Sequence, residues 1–96
     1  MIAHKYLLYV AGGGDLAHRA RANFERTVLP ALDRAGIDET SLTFEVIDVA
    51  EEPERARAAS VITTPMLIRL SPGPTVRLLG TLDDAEHVLP LLDLDS

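Results

Sequence analysis

The residues with the strongest claim to chemistry are a run of three glycines with an aspartate further along, three histidines, two acid pairs and a set of arginines. Gly12, Gly14 and Ala17 fit a G-x-G-x-x-A spacing between an apolar run and an amphipathic stretch, and Asp48 stands near the end of the next apolar run. This imitates a dinucleotide fingerprint, in which amides at a helix start hold a pyrophosphate. Asp48 follows Ala17 at a longer interval than the roughly 20 residues of that fingerprint. A tight, flexible turn is therefore the favoured reading, and nucleotide or phosphate binding by the Gly12–Gly14 loop is the alternative. Cysteine is absent. That excludes a thiol nucleophile, thiol redox chemistry, a disulfide framework and any thiolate metal site. His4, His18 and His87 show no metal-pair spacing and no serine or thiol partner nearby in sequence. His18 can meet Asp15, and His87 can meet Asp83, one helical turn away, as surface pairs. Glu51-Glu52 and Asp83-Asp84 both precede helical patterns, where negative charge is favourable without any catalytic role. No catalytic residue, metal or cofactor is expected, and the chain reads as a non-enzyme.

The arginines are more open. Arg19, Arg21, Arg26 and Arg34 fall on one helical pattern, and Arg55 and Arg57 on a second. Arginine is favoured at interfaces because its planar fork takes carboxylates in pairs. The competing reading is a solvated face with local partners such as Glu25 and Glu54. The net charge of −6 argues against a nucleic-acid partner. No apolar run approaches the roughly 20 residues that span a bilayer, so no membrane partner is expected. The start of the chain lacks the layout of a signal peptide. With cysteine absent, a cytoplasmic location is the expectation.

Ninety-six residues form one small domain, 1–96. Residues 6–11 are a nearly continuous apolar run, as in a strand buried on both faces. The glycines end it, and Asp15 is placed to cap a helix running to about Ala35. Leu16, Ala20, Phe24, Val28 and Leu32 form its apolar stripe. Pro30 removes a donor and should kink the helix near Arg26. Gly36 is a left-handed terminator. A second strand over 42–49 leads to Glu51-Glu52-Pro53, a helix start, with a short helix to about Ala59. Strands over 66–70 and 76–79, joined by Ser71-Pro72-Gly73-Pro74, should pair as an antiparallel hairpin. Gly80 breaks the second of them. Asp83 with Glu86 resembles a capping box for a last helix carrying Val88, Leu89, Leu91 and Leu92. The first two strands should be parallel because a helix crosses between them. The order βαβαββα is that of an α/β, thioredoxin-like domain. Thr64-Pro65 stands before the third strand, where that fold keeps a cis-proline. The glycine turn occupies the place of the thioredoxin Cys-x-x-Cys.

The chain also resembles the KaiB family of circadian clock proteins. The resemblance rests on Leu8-Tyr9-Val10-Ala11-Gly12, Val46-Ile47-Asp48-Val49, Pro53 with Ala56, Val61-Ile62-Thr63-Thr64-Pro65, Leu78-Leu79-Gly80-Thr81-Leu82 and Leu92-Asp93-Leu94, in the family's order. It implies a stand-alone, protein-binding regulatory module that docks on a KaiC-like ATPase ring or on a signalling histidine kinase. A stress-response adaptor without clock partners is a further alternative. The implied contact region is the second helix and the sheet edge near it, with Arg19, Ala56, Arg57 and Arg69 as candidate contacts. An open edge at the second strand could also accept a partner strand. The family is known for two folds, the thioredoxin-like one and a tetrameric ground state, βαββααβ, in which the C-terminal half is rebuilt. A homo-oligomer, dimer or tetramer, is compatible with that. Gly12, Thr64, Pro65, Gly80, Pro90, Leu91 and Asp93 are the candidate fold-determining positions. Ser60 replaces a basic residue, Thr81 an acidic one, and Pro90-Leu91-Leu92-Asp93 stands where Ile-Gly-Leu-Asp is common. Leucine favours helix over glycine by roughly 0.8 kcal/mol. Pro90 would remove a ladder donor from a strand but also costs ~3 kcal/mol fully inside a helix, so its two effects partly offset each other. The hairpin and cap signals agree with the thioredoxin-like form, which is the expectation, with a chain that switches poorly or not at all.

Overall fold

Tyr6, Leu7, Leu8, Tyr9 and Val10 are buried without a break, which a strand achieves only at the centre of a sheet covered on both faces. The computed structural model, which describes residues 3–94, puts them there. Met1, Ile2, Asp95 and Ser96 of the expected 1–96 domain lie outside the described residues. Strand β1 (His4–Val10) lies between β2 (Leu42–Asp48) and β3 (Met66–Ser71), and β4 (Val76–Leu79) completes the order β2-β1-β3-β4. β1 and β2 are parallel, whereas β3 is antiparallel to β1 and to β4. The βαβαββα thioredoxin-like architecture is thus observed, with the hairpin where the sequence predicts it. The Thr64–Pro65 bond is cis, as are Ser71–Pro72 and Gly73–Pro74.

The two faces of the sheet are packed differently. Tyr6, Leu8, Val10, Leu67 and Leu78 face one long helical rod and the last helix, α4 (Ala85–Leu91). Leu7, Tyr9, Ile47 and Ile68 face the short helix α3 (Pro53–Ala58), chiefly its Ala56. The rod consists of α1 (Asp15–Asn23), a π-helical turn (Phe24–Val28) and α2 (Leu29–Arg34). Where the sequence predicts a kink from Pro30, the structure has a π-helical turn just before it: Leu29 N–H reaches the carbonyl of Phe24, one residue further back than in an α-helix. The turn also explains the stripe. A spacing of four drifts about 40° per step around an α-helix, and a wider turn takes up part of the drift. Ala20, Phe24, Val28 and Leu32 are accordingly buried, while Leu16, at the far end, is 53% exposed. Phe24 stacks on Phe44 at 4.0 Å and meets Tyr6 edge-on at 5.6 Å, so three of the four aromatic residues form one cluster under the rod.

Two expected caps are corrected. Asp15 is the first residue of α1, and the cap position belongs to Gly14. Asp83 does not cap α4; Asp84 does, accepting from Glu86 N–H at 3.1 Å, because the Asp83 carboxylate is held by other groups described below. The C-terminal ends share a single device. In the rod, α3 and α4, the N–H groups of Ile37, Val61 and Leu94 reach back to Leu32, Ala56 and Leu89 carbonyls, and those of Gly36, Ser60 and Asp93 to Asp33, Arg57 and Pro90. These are Schellman closures, each followed by an apolar residue that packs on the core. The rod uses glycine at the left-handed position, as the sequence indicates. The other two place Ser60 (φ 57) and Asp93 (φ 60) there. Pro90 lies inside the last turn of α4, where its missing N–H deprives only the carbonyl of exposed Glu86.

A left-handed non-glycine residue costs roughly 1–2 kcal/mol, partly regained in unfolded-state entropy when glycine is avoided. Ser60→Gly is therefore expected to stabilise the chain by about 0.5–1 kcal/mol, read as a higher urea midpoint at unchanged slope.

Candidate functional site

The glycine turn is built around Asp48. The Gly12 N–H donates to the Asp48 Oδ1 at 3.1 Å, and the Ala50 N–H to the same oxygen at 2.9 Å. Gly12 sits at φ 70, a conformation that brings its amide round to the end of β2. The aspartate that imitates a ribose-binding acid is thus a clamp between two loops. Its hydrogen bonds from Ala50 and Gly12 hold its pKa below the usual carboxylate range. The clamp favours the structural reading of the turn. One amide is already taken, and Asp48 and Asp15 place negative charge where a phosphate would sit.

A second acid joins the rod to the loop before α4. Asp83 accepts from the Thr81 hydroxyl, from Asn23 Nδ2 at 2.7 Å and from Arg19 at 2.8 Å, and Asn23 also donates to the Thr81 carbonyl at 2.8 Å. The Thr81 hydrogen bond is the main cause of the low Asp83 pKa, with Asn23 and Arg19 adding to it. Arg19, a candidate contact, is exposed but already paired. The two carboxylates of Asp83-Asp84 serve separate helices, and in Glu51-Glu52 the second pairs with Arg55 at 3.3 Å. Among the described residues no group of three or more His, Asp or Glu side chains could hold a metal ion.

The remaining candidates separate by burial. Ala56 faces the sheet and is buried. Arg69 is 2% exposed, which corrects its placement at a docking surface. Its position alternates with Ile68 onto the rod-side face, and its guanidinium reaches the end of α4. Nη1 donates to the Leu92 carbonyl at 2.8 Å and pairs with Asp93 at 3.4 Å, and Nη2 donates to the Pro74 carbonyl at 3.4 Å. Nε has no acceptor among the described residues. Tyr6 lies beside this cation. Burial pushes the Tyr6 hydroxyl pKa up, and Arg69 opposes the shift. The signal was an arginine within the apolar run Leu67-Ile68-Arg69-Leu70.

Arg57 is exposed on α3 and makes no ion pair among the described residues. Next to it, Arg55 forks onto Glu45 of β2 at 2.6 and 2.9 Å and reaches Glu52 at 3.3 Å. The Arg55 hydrogen bond depresses the Glu45 pKa. Arg77 of β4, which sequence reasoning passed over, donates to the Ala59 and Ser60 carbonyls at 2.7 and 3.0 Å and so closes the other end of α3. Because α3 has only six residues, it leaves a groove of about 520 Å³ on the sheet, lined by Leu7, Tyr9, Ala59, Ile68, Leu70 and Arg77 among others. β2 is an edge strand, paired only with β1.

A family model for the KaiB domain matches residues 7–94. Circadian clock protein KaiB3 of Synechocystis sp. (strain ATCC 27184 / PCC 6803 / Kazusa) is 34% identical over 87 residues, covering 91% of this chain and 79% of the relative. Circadian clock oscillator protein KaiB of Prochlorococcus marinus (strain MIT 9313) is 44% identical over 87 residues, covering 91% and 68%. Among solved structures, the N-terminal domain of Synechococcus elongatus SasA has a TM-score of 0.63 at 21% identity, covering 100% of this chain and 89% of that one. A thioredoxin of Malassezia sympodialis has a TM-score of 0.67 at 16% identity, covering 97% and 76%. At these identities the two structures show the shared fold alone.

Glu45, Asp48 and Asp83 all have lowered pKa values in the fold. Their contribution is present above the unfolded carboxylate pKa, about 4, and is lost as pH falls through the lower folded values. Stability measured by urea titration is expected to decline below about pH 4, and Asp48→Asn is expected to make that decline shallower.

Proposed function

The chain belongs to the KaiB family, and from that premise we propose that it is a non-enzymatic clock-type regulatory module that acts by occupying the surface of a KaiC-like ATPase ring or a signalling histidine kinase. The observation that carries the reading is the half-covered sheet face. A short α3 with Arg57 unpaired on its exposed side, an apolar groove beside it and the open β2 edge belong to that half of the molecule, and among the described residues neither the Arg57 guanidinium nor the free edge of β2 is engaged by another element. An edge strand offers main-chain hydrogen bonds to a partner, and an exposed arginine offers a charge fork. Arg57 is the contact we assign first. Arg19 lies on the other side, tied to Asp83. Ala56 supports the surface from inside, and Arg69 lies on the opposite face of the sheet, tied to the end of α4.

A docking role also agrees with what the acids do. Asp48, Asp83 and Asp84 each hold main-chain N–H or side-chain donors that shape loops, so little is left over for proton transfer. The Asp48 clamp disfavours the nucleotide-binding alternative. The cytoplasm is the proposed location; among the described residues no helix is long and apolar enough to cross a membrane.

The test is co-purification of the chain with a hexameric KaiC-type ATPase and with a sensor kinase that carries a KaiB-like domain. One of them is expected to form a complex that Arg57→Glu weakens about tenfold or more, the loss typical of a charge reversal at a contact. No complex with either, or nucleotide-induced amide shifts confined to residues 12–15, would contradict the reading.

A further inference from the structure

The α3 side is not the only surface without a task in the fold. At the end of the sheet where β1 and β2 finish and β3 begins, large apolar side chains stand in solvent: Ile62 at 91% exposure, Leu79 of β4 at 64% and Leu16 at 53%. Leu16 lines a cleft of about 60 Å³ with Val10, Ala11, Ala17, Thr64 and Pro65. That is room for the end of one branched side chain and not for a cofactor. Pro65 is buried and held from behind, its carbonyl accepting the Gly80 N–H at 2.9 Å, so one wall of the cleft is rigid. The segment leading to it is unpaired. The N–H groups of Ile62, Thr63 and Thr64 make no hydrogen bond among the described residues. An exposed stretch with free main-chain donors beside a one-residue apolar cleft suits an extended segment, which supplies carbonyls along its length and one side chain to the cleft.

The charge at this end fixes the sign of that segment. Asp15 and Glu51 are exposed here and make no ion pair among the described residues. Asp48 joins the same turn through Gly12. The nearby arginine, Arg19, is neutralised by Asp83. We propose that the cleft between Leu16 and Thr64–Pro65, with the free strand-like segment at 62–64, docks an extended basic segment of a partner protein that carries one branched apolar residue. The apolar residue enters the cleft and cationic neighbours face Asp15 and Glu51. This surface is separate from Arg57 and the β2 edge, and the proposal does not depend on which ring or kinase the other face binds.

The probe is a peptide of about ten residues alternating arginine and leucine, titrated into the isotope-labelled full chain, with a glutamate–leucine peptide as control. Amide shifts are expected at residues 12–16 and 62–64, with no response to the control. Affinity is expected to fall about fivefold or more in Leu16→Ser and in Ile62→Ser, since each removes apolar area, and to fall when salt rises from about 50 to about 300 mM. Asp15→Asn with Glu51→Gln, which leaves the cleft intact, should reduce the salt dependence. Equal binding of the glutamate peptide, shifts confined to α3 and β2, or unchanged affinity in both leucine- and isoleucine-site variants with native amide spectra would overturn the proposal.

Discussion

The constraint on which the C-terminal half depends is the burial of one cation. Arg69 sits in β3 with almost no exposure. Placing a guanidinium there costs several kcal/mol unless its donors find acceptors. The acceptors are the carbonyl of Leu92 at the end of α4, the carbonyl of Pro74 in the β3–β4 turn, and the carboxylate of Asp93. They come together only when the hairpin and the last helix are both in place. The arginine therefore couples three segments that are otherwise joined by loops. It also fixes where α4 must stop, because the carbonyl it takes is one that the helix leaves unpaired. The left-handed Asp93 that follows turns the chain back onto the core through Leu94.

With that half fixed, the remaining charges divide the molecule by task. Several aspartates hold loops: Asp48 ties the glycine turn to β2, Asp83 ties the rod to the loop before α4, and Asp84 starts that helix. Two arginines close α3, with Arg55 anchoring it to β2 and Arg77 meeting its last carbonyls. Among what the fold leaves open are Arg57 with a free strand edge on one side, and exposed Ile62 and Leu16 near the unbonded amides of 62–64 at the end of the sheet. With no cysteine in the chain, this thioredoxin-like frame lacks the thiol pair of that fold's redox chemistry.

The fold was largely legible because its signals were local and periodic. Five successive apolar residues marked the central strand, the Pro-Gly-Pro turn marked the hairpin, and Thr64-Pro65 marked the junction before β3. The caps were less legible. Asp15 and Asp83 stood one residue away from the true cap positions; for Asp83 the reason is that Thr81, Asn23 and Arg19 take its carboxylate, whereas α1 starts from Gly14 with no side-chain cap. Ser60 and Asp93 gave no sign of being left-handed, although an apolar residue follows each of them, as Ile37 follows Gly36. Of the candidate contacts, Arg57 lies exposed on the helix that the sequence predicts, but Arg69 is buried, because the same run of residues suits a surface strand or an interior one. Only the register against β1 decides which face it joins. Arg77 was invisible, since nothing near it in sequence reveals that the end of α3 lies opposite.

The central claim is that the segment from Val61 onward rests as a hairpin followed by a helix, latched by Arg69. It is tested most directly by assigning the amide and carbon resonances of the full chain in solution. The account predicts a single set of peaks, helical shifts over 85–91, and cross-strand contacts from Met66 to Leu79 and from Ile68 to Arg77. Helical shifts replacing those contacts over 66–79, with an extended terminal segment, or a second exchanging set of peaks for this half, would contradict it.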